Sequence, residues 1–222
     1  MKRTLAFIMM LVAGCASSPF KETALVPLES IDPQVVVERF RSGSPERFQL
    51  LNTIVFEYNW FTFGGIGSVE IDAASHGYKV ACMNHMGVKL FEVSGNRDGV
   101  ISQAAIGPLA DKGDIAHAVG NDIMRIYFDL DPGPKANIWN IRNKLYFREP
   151  AGAGRMEYVF AGEHGDLIQK NYYEDDGIVW RALYYEYREQ NGKRCPQGIV
   201  FINYHYGYRL TVRQKELRIE NN

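Results

Sequence analysis

The sequence lacks the spacings on which most enzymatic sites are built. No Gly-x-Ser-x-Gly, His-Glu-x-x-His, P-loop or Cys-x-x-Cys occurs, which removes the nucleophile elbow, the zincin helix, the phosphate cradle and the dithiol redox pair. The histidines, His76, His85, His117, His164 and His205, stand singly, with no pair at metal-ligand spacing. Neither sign of charge prevails: 25 Lys and Arg against 26 Asp and Glu leave a net charge of −1, so no basic face for nucleic acid is implied. The apolar run from Leu5 to Ala13 falls short of the roughly 20 residues that a membrane-spanning helix needs. No catalytic residue, metal or cofactor is expected. A hydrolase acting on envelope lipids ranks last among the functions, because the sequence holds no nucleophile and base pattern.

What is present begins at the first residue. Met1-Lys2-Arg3-Thr4 is a short basic segment ahead of the apolar run, the form of a secretory signal. Leu11-Val12-Ala13-Gly14-Cys15 resembles the bacterial lipobox, so residues 1–14 are expected to be removed and Cys15 to carry the lipid. Each buried methylene contributes about 0.8 kcal/mol, and more than one chain makes the attachment stable. Ala16, in place of an acidic residue, favours the periplasmic face of the outer membrane over retention in the inner one. Ser, Pro, Lys and Glu dominate 15–31, which reads as a tether; 32–222 reads as one domain, and a monomer is expected.

Asp32-Pro33 looks like a cap and a first helical position, followed by Val36, Val37 and Phe40 on one face and Gly43 as a stop, which predicts a short helix at about 33–42. Alternating patterns then predict strands from Phe48 to Tyr58, Trp60 to Asp72, Tyr78 to Asn84 and Val88 to Ser94. Gly64-Gly65-Ile66-Gly67 falls inside the second strand, where a bulge or sharp bend is expected. Between Ala110 and Phe128 the spacing of Ile115, Val119, Ile123, Met124, Ile126 and Tyr127 predicts a helix. Strands resume at Asn143 to Arg148, Arg155 to Ala161, Leu167 to Tyr173, Ile178 to Glu189, Gly198 to His205 and Tyr208 to Ile219. In the last, the apolar phase moves from Tyr208, Leu210 and Val212 to Leu217 and Ile219, which predicts a bulge near Lys215.

Large apolar side chains exceed what one small sheet face needs. Phe56, Phe61, Phe63, Met83, Met86, Leu90, Trp180, Tyr184 and Phe201, with Ile123 from the helix, are the candidates for an interior that is either packed or kept open for an apolar ligand. Whether Cys82 and Cys195 pair stays open, because spacing does not decide it. Glu174-Asp175-Asp176 before Gly177 reads as a solvated turn and not as paired catalytic carboxylates.

Two segments carry a resemblance. Met83-Asn84-His85-Met86-Gly87-Val88-Lys89-Leu90-Phe91 and the run from Pro196 to Arg213, with Ile199-Val200-Phe201-Ile202-Asn203 and Gly207-Tyr208-Arg209-Leu210, resemble the superfamily of bacterial lipoprotein-localisation factors. Within it they look most like lipoproteins encoded beside fatty-acid-like and aryl polyene synthesis genes. The resemblance implies a mainly β (α+β) fold: a strongly curved, incomplete antiparallel β-barrel with a helical lid and a short N-terminal helix. It turns the choice between packed core and cavity toward a cavity. It further implies a lipid-anchored protein that holds or transfers an acyl chain, lipoprotein or polyene-like cargo. The alternative is a structural lipoprotein of an envelope assembly with no small ligand, using exposed aromatics such as Tyr204 and Tyr206 as its partner surface.

Overall fold

A computed structural model describes residues 19–28, 32–105 and 115–220; Cys15 lies outside them. The chain forms α1 (Pro33–Gly43), β1 (Arg47–Tyr58), β2 (Phe61–Asp72), β3 (Gly77–Met83), β4 (Lys89–Asn96), β5 (Gly99–Ala105), α2 (Ile115–Tyr127), β6 (Asn137–Ile141), β7 (Lys144–Ala151), β8 (Gly154–Ala161), β9 (Asp166–Glu174), β10 (Gly177–Gln190), β11 (Lys193–Asn203) and β12 (Tyr208–Ile219).

The Asp32 carboxylate accepts from Gln34 N–H at 2.9 Å and caps α1, with Pro33 on its first turn. Val36, Val37 and Phe40 are its buried face, and the Phe40 ring meets Phe160 edge-on at 5.4 Å.

All twelve strands join one antiparallel sheet in the order β5-β4-β3-β2-β1-β12-β11-β10-β9-β8-β7-β6. Two meanders are therefore joined by the pairing of β1 with β12. The sheet is curved and does not close: β5 and β6 are its free edges, and α2 is the connection that spans the gap between them. The expected bulge is present, since Leu51 faces Glu216 and Asn52 faces Gln214, leaving Lys215 over. The expected bulge in the glycine run is not: β1 and β2 pair without interruption from Arg47 and Asp72 to Tyr58 and Phe61. Gly65 serves close approach instead, because a Cβ there would sit 2.8 Å from the Met83 carbonyl oxygen.

The concave face carries the core in two clusters. One gathers Phe147, Phe160, Trp180, Tyr184 and Phe201 from the C-terminal strands around α1 and Ile126. The other gathers Phe48, Val69, Tyr78, Val80 and Val93 around Ala116, Ile123 and Phe128. Since α2 contributes to both, it lies across the concave face and links the halves. Tyr78 occupies space that a Cβ at Gly95 or Gly120 would take, which lets the helix approach the sheet closely.

Over 19–28 the expected tether is a strap against the sheet. Phe20 is 5% exposed and Leu28 is buried. The Phe20 ring stacks on Tyr185 at 5.4 Å and covers Gly198, and Arg213 Nη2 donates to the Pro19 carbonyl at 3.0 Å.

Candidate functional site

The candidate site is where the two core clusters fail to close on each other. A cavity of about 360 Å³ lies on the concave face, bounded by α1, the C-terminal end of α2 and the middle strands β10, β11, β12 and β1. Its volume falls within the roughly 300–1,000 Å³ range of small-molecule sites. Phe48, Leu50, Ile126, Tyr184, Ile199 and Val212 make most of the wall apolar.

Charged side chains stand on the solvent side, where Arg41 pairs with Asp131. Nearby, Arg194 grips Asp166 through two bonds of 3.0 and 2.8 Å. In both pairs each charge has an opposite partner. The uncharged polar residues of the wall include Asn52 from β1, Tyr127 from α2, Cys195 and Gln197 from β11, and Gln214 from β12, which faces Asn52. Burial pushes the Cys195 thiol up to about 12 and the Tyr127 phenol above its ordinary range, so both are neutral at physiological pH. Cys82 and Cys195 are both free and buried.

The end of α2 that borders the cavity is tied down. The ammonium of Lys170, buried in the core, donates to the carbonyls of Arg125 at 3.2 Å and Phe128 at 2.7 Å. Tyr184 Oη donates to the Ile126 carbonyl at 2.8 Å. These donors satisfy last-turn carbonyls that the helix itself leaves unpaired. One turn earlier, Asp122 accepts from the Tyr208 hydroxyl and pairs with Arg125 at 3.2 Å, while Asn203 Nδ2 donates to Tyr208 at 3.1 Å. Burial dominates the Asp122 carboxyl and raises it to about 6, against the opposing pull of Tyr208 and Arg125. The N-terminal half of α2 packs through Ala116, Val119 and Gly120.

The structure distributes the residues expected to line the interior. Trp180, Tyr184 and Phe201 are buried in the C-terminal cluster, and Ile123 in the other. Phe56 is half-buried, its ring 5.3 Å from that of Tyr208; Phe63, Met83 and Leu90 are also half-buried. Of all of them, Tyr184 lines the cavity. Phe61 and Met86 are corrections: they are 55% and 83% exposed, because β1–β2 and β3–β4 run past the core and their tips have nothing to pack on. Together with Tyr58, Trp60 (95% exposed), Val88, Tyr204 and Tyr206, they form an apolar rim on hairpin tips at one end of the sheet. The wall residues Phe48, Leu50, Asn52, Tyr127, Cys195 and Val212 escaped the sequence reading. A signal for one of them was present, since Asn52 is the polar residue within the inward phase Phe48, Leu50, Asn52, Ile54, Phe56.

No family model and no curated protein matches the sequence. Among solved structures, the chain is similar to a LolA superfamily protein from Nitrosomonas europaea, at 10% identity and a TM-score of 0.55, over 85% of this chain and 94% of that one. It is similar to a domain assigned to outer membrane lipoprotein sorting from Vibrio parahaemolyticus, at 9% identity and 0.54, over 84% and 92%. A DUF1329 family protein from Desulfovibrio piger follows at 8% identity and 0.50, over 84% and 91%. At such identities the likeness is one of fold: the chain has the Lol-like fold of an incomplete antiparallel barrel with helices on its concave side.

Proposed function

We propose that this protein binds a hydrophobic cargo of the cell envelope, an acyl chain or polyene-like lipid, and holds or hands it over while anchored through Cys15 at the periplasmic face of the outer membrane. The observation that carries this reading is the mostly apolar cavity at the C-terminal end of α2, between two well-packed clusters. Native interiors are otherwise close-packed, so an open, mostly apolar volume on the concave face suits a ligand better than it suits stability. The fold shared with LolA superfamily proteins supports the same reading.

Its action is differential affinity, without bond chemistry. Apolar surface withdrawn from water is worth about 25 cal/mol per Å², enough to capture a chain and small enough to surrender it to a better acceptor. The cavity of about 360 Å³ has room for about a dozen water-sized groups. That suits one short chain; a multiply acylated lipoprotein needs α2 lifted. Native mass spectrometry of the protein purified from its own host without detergent tests the proposal. A bound lipid is expected, and a consistently empty chain overturns it.

The exposed rim favours a second reading. Trp60, Met86 and Tyr206 are the large apolar residues that protein interfaces bury, as in an envelope assembly with no small ligand. Cross-linking in the intact envelope that returns one stoichiometric protein partner and no lipid selects this reading.

A further inference from the structure

We infer that the deep end of the cavity recognises an uncharged hydrogen-bonding group, so that the cargo is a single-chain amphiphile seated with an alcohol or amide end inward. The inference rests on the cargo reading above and refines it.

Asn52 is 2% exposed, and its Oδ1 is fully enclosed with no partner. More than nine in ten buried polar groups are paired, and leaving one unpaired costs about 1–3 kcal/mol. An apolar residue would satisfy the inward phase of β1 without that cost, as Leu50 and Ile54 do on either side. Asn52 also sits where the Lys215 bulge resets β12, so that it faces Gln214 and lines the cavity. Tyr127 lines the same volume, and no residue among those described hydrogen-bonds its hydroxyl. A carboxamide and a phenol thus share one apolar chamber with their hydrogen-bonding capacity unspent.

Their position and neutrality define the partner. Asn52 lies four residues along β1 from Phe48, about 13 Å at the usual strand rise, and Phe48 adjoins the solvent side marked by Glu46 and Arg41. Asn52, Tyr184, Ile199 and Val212 of the wall are buried and uncharged, whereas the Arg41 and Asp131 pair is partly exposed. An ionised carboxylate or phosphate driven there would meet no cation, at a cost of several kcal/mol. A hydroxyl or amide both donates and accepts, which matches a carboxamide whose two ends present an acceptor and a donor.

The test titrates the protein with decanol, chlorodecane and decanoate at about pH 8, where the acid is ionised. One recovered hydrogen bond is worth about tenfold in affinity, so decanol is expected to bind about tenfold tighter than chlorodecane, with decanoate weakest. In Asn52→Leu the decanol preference should vanish while chlorodecane binding holds. Tyr127→Phe, which removes only an oxygen, should narrow the preference in the same direction and serves if the first variant does not fold. Equal binding of decanol and chlorodecane to the unaltered protein overturns the inference and leaves the cargo reading intact, as does a preference that survives both substitutions. Failure of all three probes to bind overturns the cargo reading and the inference together.

Discussion

Replacing Lys170 with methionine removes a charge from the core while keeping most of its volume, and the consequence is legible in pH. The ammonium sits against the C-terminal carbonyls of α2 and 5.7 Å from the Trp180 ring centre. Desolvation outweighs the pull of Asp129 and Asp131 and lowers its midpoint from 10.5 to about 8, a displacement worth about 3 kcal/mol against the charged form. In the unfolded chain the proton is retained up to about pH 10.5, whereas the folded chain releases it near 8. Between these values the unfolded state binds more protons, so stability rises with pH; below about 8 the cost is fully present. Methionine does not titrate, but it leaves the two carbonyls unpaired, at about 1–3 kcal/mol each. Near pH 7 these losses and the relieved charge cost oppose each other, and the variant should lie close to the unaltered protein. By about pH 10 the unaltered protein should have gained about 3 kcal/mol on it. Urea unfolding followed by the emission of Trp180, which is buried, measures the difference, in which tyrosine titrations common to both chains cancel. A difference that stays flat or declines from about pH 7.5 to 10.5 refutes the reasoning.

Three further outcomes are expected. Asp122 has the opposite sign: with its folded midpoint at about 6 against an ordinary 3.8, the folded chain binds the extra proton and stability falls as pH rises through that window. Asp122→Asn should therefore compare better with the unaltered protein at about pH 7.5 than at about pH 4, by about 2 kcal/mol, and melts showing the same offset at both would contradict it. Cys82 and Cys195, pushed up to about 11 and about 12, should resist iodoacetamide at neutral pH until urea is added; rapid labelling of either in the folded chain would show that burial does not protect them. Gly198→Val should expel the Phe20 ring that covers Gly198 and expose residues 19–28 to limited proteolysis, while an unchanged digestion pattern would mean that the strap is held elsewhere.

Sequence legibility followed local chemistry. α1 was readable because cap, proline, apolar face and stop all fall within a dozen residues, and the Lys215 bulge because a phase change in an alternating strand has only one cheap cause. β5 and β6 were not read. They are the sheet edges, and β6 is exposed or half-exposed along its whole length, so no alternating burial marks it. The cavity wall was missed for a different reason. The size of an aromatic suits it to a cluster: Trp180 and Phe201 pack against each other at 6.0 Å, and the open volume is bordered by residues from strands far apart in sequence. Phe61 and Met86 share the apolar character of core residues and differ only in lying beyond its end, which no periodicity records.

The joining of β1 to β12 governs how the molecule is assembled in time. Every other strand contact is between neighbours in sequence, whereas this one brings Phe48 to Ile219 and Tyr58 to Tyr208. Local meanders form fast, and the closure of so long a loop is slow. A chain that emerges N-terminus first therefore builds each half-sheet early but holds the facing edges of β1 and β11 unpaired until its final strand arrives, a span of exposure to wrong pairing. The chamber belongs to this last event, because Asn52 comes from β1 and Val212 and Gln214 from β12. A chain lacking β12 does not possess it, so the uptake proposed above waits for that strand.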